Sequence, residues 1–436
     1  MADRRVAITG LGVVTPLGIA VGPFWQALLA RKTAVREITL FDASNFPCRI
    51  GGELQDFSAR SFVPKDYRKA VKVMARDIEI AVAAADMAFR DSGIVTRGID
   101  AAGVTIDSKR LGCNIGAGLI CSDLNELGMA INTAVTDGKF DFKVWGATGM
   151  ENLTPLWLLK YLPNMLACHV TIIHGAGGPS NTITCGDASG HLAVGEASRY
   201  ILRGAVDAVV AGGAESKLNP MGLLRQSLLK RLCTGGNGNP AEACRPLDAG
   251  HSGTVVGEGG GLLILEDMAR AEARGARIYA ELVGFGAACD PAGIDVTKAN
   301  AGSLELAVRR AVTEAGIAPE DIGLVVAHGT GVPDEDACEV EAWVAALGSV
   351  ARTVPVAAIT GAIGSLFAGA GGVELATAAM ALHTQTIPPT ANFTAAEGDG
   401  LNVSPEPRSA ELRYVATGAF AVGGQSGACV LKRYQP

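Results

Sequence analysis

The chain has 436 residues, 48% of them hydrophobic, and a formal net charge of −7 from 37 Lys+Arg against 44 Asp+Glu. That length allows about two to three ordinary domains around a large core, and the acidic balance excludes the basic footprint of a nucleic-acid binder and the polybasic anchor of a membrane-surface protein. Ten cysteines are scattered singly with no CxxC pair, and the start of the chain carries no signal-peptide pattern, so reduced thiols in a cytoplasm are expected, with no metal site and no cofactor.

In chain order, Val6-Ala7-Ile8-Thr9-Gly10-Leu11-Gly12-Val13-Val14 predicts a buried strand leading into a glycine-punctuated turn. The Gly10-x-Gly12 pair does not extend into a dinucleotide fingerprint, because the third glycine and the later acidic residue are absent. Between residues 66 and 91 apolar side chains recur at helical spacing (Val71, Met74, Ile78, Val82, Phe89), with Lys65, Arg68, Lys69 and Lys72 about the first turns. Such a basic cluster reads either as a solvated face or as a docking patch. Leu111 to Gly118 predicts a second buried strand, and residues 120–165 a mostly helical excursion. The apolar run 156–173 is interrupted by Lys160, Pro163, Asn164 and His169, which makes it a core helix rather than a membrane span.

Residues 178–215 carry the strongest functional signal. A short strand ends at small residues and turns sharply into a helix containing Gly190, Ala193, Gly195 and Ala197. That is the shape of a nucleophile elbow, where a helix N-terminus favours negative charge. Further strands are expected at 208–215, 262–265, 278–284, 322–327 and 354–358, and near 412 and 430, with helices at 303–315, from Asp336 and from Ser365. Strand–helix alternation on both sides of a seam near residue 255 implies two halves, 1–255 and 256–436, built on parallel sheets.

The elbow Gly178-Pro179-Ser180 to Ser189-Gly190 resembles that of the β-ketoacyl-acyl carrier protein synthases, as do the opening strand, Arg245-Pro246-Leu247-Asp248, His328-Gly329-Thr330 and the loop at Gly418 to Ser426. The resemblance covers the chain from Val6 to Leu431. It implies an α/β thiolase fold, two pseudo-duplicated halves in five layers α-β-α-β-α, with glycine- and alanine-rich helices in the crowded middle.

Members of that family carry the acyl chain on a Cys thiolate and use two His side chains to decarboxylate the malonyl donor. Alignment puts Asp187 at the Cys position, His328 at the first His, Ser365 at the second His and Thr360 at a Lys. From chemistry alone His328 reads as a structural or a catalytic histidine, and Asp187 as an N-cap of the following helix or a poor nucleophile, since its attack on a thioester would yield an anhydride. Cys185, sharing a strand face with Asp187, is a core thiol or a displaced nucleophile. The resemblance further implies an acyl pocket gated by Phe420 beside Gly423 and Gly424, and an acidic carrier protein docking on Lys65, Arg68 and Lys69.

A scaffold retained without its Cys and second His resembles the chain-length-factor subunits of type II polyketide and polyene synthases, although their usual substitute is Gln. The reading is therefore a degenerate subunit that pairs with a Cys-containing ketosynthase. Its rivals are a malonyl-carrier-protein decarboxylase or unusual condensing enzyme, and a homodimer that binds acyl chains or carrier protein without chemistry.

Overall fold

The computed structural model describes residues 4–291, 301–396, 398 and 400–435. The first half contributes β1 (Val6–Thr15), α1 (Arg76–Ser92), β2 (Leu111–Ala117), β3 (Ser180–Ile183), α2 (Ser189–Leu202), β4 (Ala208–Ser216) and β5 (Glu258–Asp267). The second contributes β6 (Ala280–Cys289), α3 (Ala301–Ala315), β7 (Ile322–Ala327), α4 (Pro333–Leu347), β8 (Pro355–Ala358), α5 (Ala370–Thr384), β9 (Tyr414–Phe420) and β10 (Gln425–Lys432).

The halves repeat one topology. Strand order is β1-β5-β4-β2-β3 in the first and β6-β10-β9-β7-β8 in the second, joined where Val6–Ile8 pairs with Ala280–Leu282. The expectation of parallel sheets is corrected. β2 runs parallel to β3 and β4, and β7 to β8 and β9, but β1, β4, β5 and their counterparts pair antiparallel. The β9-β10 connection, residues 421–424, reverses the chain directly, whereas the β4-β5 connection, residues 217–257, carries the helix Pro220–Leu228 and still returns antiparallel. Strand β5, read from the sequence as opening the second half, lies between β1 and β4 of the first.

The resulting layers are α1, a half-sheet, the pair α2 and α5, a second half-sheet, and α3 with α4, a thiolase-like α/β fold. Burial on both faces explains why β1, β2 and β4 are apolar or small, Asn114 and Glu215 apart, rather than alternating. Gly10 and Gly12 do not form a turn; they lie inside β1, and a Cβ on Gly12 would stand 1.9 Å from the carbonyl of Ala84 on α1. In the middle layer a Cβ on Gly372 of α5 would be 1.9 Å from the carbonyl oxygen of Gly261 on β5. Helix and sheet touch there backbone to backbone.

Two local expectations change. The helix expected from residue 66 starts at Arg76, preceded by single 3-10 turns at Lys65–Tyr67 and Ala70–Val73. The run 156–173 splits into a 3-10 turn at Trp157–Tyr161 and a helix at Met165–His174, with Leu156 and Leu158 exposed. Among the described residues no helix is long and apolar enough to cross a membrane.

Candidate functional site

After β3 the chain passes Cys185 and turns at Gly186, whose φ of +54° is the left-handed region that glycine enters without a Cβ penalty. A 3-10 turn, Gly186–Ala188, feeds α2 and aims the Asp187 carboxylate into the protein, where it is 4% exposed. Its Oδ1 lies 3.7 Å from His328 Nε2 and its Oδ2 3.9 Å from Arg231 Nη2. The N-cap expectation is corrected: Asp187 caps neither the turn nor α2. Two buried cations claim it instead. Ser189 orders the turn, its Oγ accepting from Cys185 N at 2.8 Å and donating to Gly186 O at 2.6 Å.

Cys185 is not on a strand sharing a face with Asp187, because β3 ends at Ile183 and the two residues flank the Gly186 reversal. Its half-buried thiol has its pKa raised by burial. That is the opposite of what an activated thiolate needs.

His328 follows β7 directly. Glu339 on α4 accepts from its backbone N–H and that of Gly329, at 2.8 and 2.7 Å, while Asp336 accepts from Thr330 and Gly331. Thr360 Oγ1 donates to the His328 carbonyl at 2.9 Å, a fixing role that needs no charge. The imidazole Nδ1–H donates to Glu374 Oε1 at 2.8 Å, and the Phe420 ring meets the imidazole edge-on at 6.0 Å. Glu374 also lies 3.6 Å from His191 Nε2, which hydrogen-bonds Thr417 Oγ1 at 3.0 Å.

Electrostatics follow from this packing. Burial works against ionising Asp187, but His328 and Arg231 outweigh it and lower its pKa to about 2. Burial likewise opposes a charge on His328, yet Glu374 and Asp187 raise its pKa well above the ordinary value. That favours the imidazolium form of His328. His191, lowered to about 4 by burial, is neutral. Arg231 is held by Glu335 through Nε and Nη2 at 2.7 and 2.9 Å and by Gln226. Asp187, Glu374 and Glu335 therefore face Arg231 and His328, and Lys217 also acts on Asp187.

Ser365 follows Gly364, is 3% exposed and has an Oγ without a hydrogen-bond partner. Its segment runs from Thr360, bonded to His328, to Phe367–Gly369, packed on the Gly186–Ala188 turn. Gly423 and Gly424 form the β9-β10 turn with φ of +113° and +94°, and a Cβ on Gly424 would be 2.3 Å from Asp290 O. Lys65, Arg68 and Lys69 are exposed and lie apart from the elbow. Lys65 and Arg68 line a surface cleft of about 750 Å³ with Arg90, Arg97 and Ile99 that includes no elbow residue. Among the described residues no acid, His and Cys cluster is arranged to hold a metal ion.

Sequence reasoning brought Asp187, His328, Thr360, Ser365 and Phe420 into one neighbourhood but missed Arg231, Glu335, His191 and the role of Glu374. Glu374 did leave a signal. It is the one acid in α5, a helix otherwise of apolar and small residues up to His383 in its last turn.

The sequence matches the model of the beta-ketoacyl synthase N-terminal domain over residues 3–271 and that of the C-terminal domain over residues 279–394. It is 34% identical over 438 residues to the 3-oxoacyl-acyl-carrier-protein synthase 2 of Vibrio cholerae, covering 99% of this chain and 100% of that one. Against the protein of that name from Synechocystis the identity is 32%, covering 100% and 99%. Among solved structures, the ishigamide ketosynthase/chain length factor superposes with a TM-score of 0.85 at 26% identity over 100% of both chains. A beta-ketoacyl synthase from Burkholderia phymatum gives 0.86 at 29% identity, covering 99% and 100%.

Proposed function

Because the chain belongs to the β-ketoacyl synthase family, we propose that it is a non-condensing member, a chain-length-factor-like subunit that pairs with a Cys-bearing synthase during acyl-chain elongation on a carrier protein. The observation that carries this reading is Asp187 at the elbow. It is an ionised, buried carboxylate paired with Arg231 and His328 where an acyl-carrying thiol would have to stand. A carboxylate holds an acyl group only as an anhydride, so the two-step thioester route is unavailable. Ser365 brings a short hydroxyl where the resemblance expects an imidazole, and loss of one such donor costs about 10²–10³ in rate.

Decarboxylation of a malonyl donor is the weaker reading. A malonyl carboxylate would have to share the elbow with the Asp187 carboxylate, which already engages Arg231 and His328. Pairing is supported by the excursion after β2, which exposes the large apolar side chains Leu119, Met129, Phe142, Met150, Leu156 and Leu158; clustered apolar surface of this kind marks interaction sites. Similarity to a ketosynthase/chain length factor structure adds to that support. In this reading Phe420, Gly423 and Gly424 border the acyl path, and Lys65, Arg68 and Lys69 receive the acidic carrier protein.

The test incubates the purified chain with malonyl-carrier protein and an acyl primer, with and without a Cys-bearing homologue. No β-ketoacyl product and no CO₂ is expected from the chain alone, with product on adding the homologue. Condensation by the chain alone overturns the reading, and CO₂ release alone favours the decarboxylase. Co-purification as an inert homodimer holding an acyl group would move the assignment to an acyl-binding protein.

A further inference from the structure

Among the buried side-chain atoms that lack a hydrogen-bond partner are Asp187 Oδ1, His328 Nε2 and Ser365 Oγ, with His191 Nδ1 and Glu374 Oε2 behind them. Asp187, His328 and Ser365 are 4%, 2% and 3% exposed. Buried polar atoms are nearly always satisfied, by protein or by water. The 3.7 Å between Asp187 Oδ1 and His328 Nε2 is too long for a direct hydrogen bond, yet a single oxygen can stand about 2.8 Å from both. Glu374 already occupies the other ring nitrogen, so Nε2–H is the proton that His328 can offer.

We propose that Asp187 and His328 hold a water molecule at the elbow and use it to hydrolyse acyl thioesters, making this chain a slow thioesterase toward acyl-carrier-protein substrates. The proposal goes beyond the non-condensing reading and rests on it only in taking an acyl thioester to reach the elbow. In the first step the water oxygen bonds to the acyl carbon while its proton passes to Asp187 Oδ1, leaving a tetrahedral oxyanion. In the second the C–S bond breaks and the departing thiolate takes the His328 Nε2 proton. Transfer of the proton from Asp187 to His328 then restores the pair. The sum is thioester plus water giving carboxylic acid plus thiol, with no other reactant.

The same geometry favours an ionised Asp187 and a cationic His328, each supporting the other, with Arg231 and Glu374 adding to it. Such acid–base assistance is worth about 10²–10⁴ in rate. A base as weak as Asp187 places turnover at the low end. The neighbouring Gly186 is exposed and Cys185 half-exposed.

The experiment supplies the purified full chain with octanoyl-carrier protein in oxygen-18 water and follows octanoic acid by mass spectrometry. Acid carrying one oxygen-18 is expected at least about tenfold above the protein-free rate, falling to near that blank in Asp187→Asn and in His328→Gln. Circular dichroism of both variants establishes that they are folded. Absence of labelled acid above the blank overturns the proposal whatever the variants do, and so does a wild-type rate in a folded Asp187→Asn. Oxygen-18 found in the Asp187 side chain after a single turnover means an anhydride and overturns the bound-water step. Adding the Cys-bearing homologue to the same reaction keeps the two readings separate, because stimulated condensation without hydrolysis leaves the pairing intact and removes only this inference.

Discussion

Asp187 and His328 are charged in a place that penalises charge, and each is held there by a partner of opposite sign. His328 has its pKa raised from 6.5, so its share of stability is complete below pH 6.5 and is lost as the pH rises through the raised value. Asp187 works at the other end: lowered from 3.8 to about 2, it contributes above pH 3.8 and loses that contribution as the pH falls toward 2. Glu339, raised by burial from 4.5 to about 7, makes the folded state less favoured as the pH climbs through that interval. Above pH 7 the His328 effect therefore stands alone of the three. Urea midpoints of the wild type are expected to fall between pH 7 and pH 10, and those of His328→Gln to fall less; equal slopes would mean that His328 is neutral in the folded chain. Asp187 and His328 were legible in the sequence because each sits in a local motif. Arg231 was not, since it reaches Asp187 from a loop 44 positions away in sequence, and only the fold decides that it turns inward to Glu335 rather than outward to water.

Elements set the spacing that those residues use. Helices α2 and α5 were readable as the crowded middle because their small side chains leave room only for close packing. The start of α1 was not readable: Val71 and Met74 reach the same core as Ile78 although the backbone at Met74 and Ala75 is extended, so helical periodicity runs straight through a break in the helix. Gly372 tests the middle layer. Its Cβ would lie 1.9 Å from Gly261 O, and neither the strand nor the helix can withdraw without moving its neighbours. Gly372→Ala is expected to cost at least about 1–3 kcal/mol, the range for overpacking, in equilibrium urea unfolding. Gly22, where a Cβ meets nothing within 4 Å near the start of the helix Val21–Leu29, is the contrast. Gly22→Ala should be neutral or slightly stabilising. If both variants behaved alike, close backbone packing would not be what fixes the middle layer.

At the scale of the whole molecule, the repeated halves account for most of the chain, and the excursion after β2 has no counterpart in the second half. It carries much of the exposed apolar surface, with Phe142 82% and Leu156 78% exposed. A side chain that contributes so little to the chain's own core can be changed without unfolding it, so stability and association separate cleanly at these two positions. Burying a Phe or Leu against a partner is worth about 1.5–3 kcal/mol each, and placing a carboxylate there adds a desolvation cost. Phe142→Asp with Leu156→Asp is therefore expected to weaken binding to a Cys-bearing synthase by roughly 10²–10⁴-fold, measured by titration calorimetry, with the thermal midpoint of the isolated chain within about 2 °C of wild type. A double variant that binds as tightly as wild type would remove the excursion from the interface. One that also lost its thermal midpoint would mean the excursion packs onto its own chain, and the apolar surface would then need no partner to explain it.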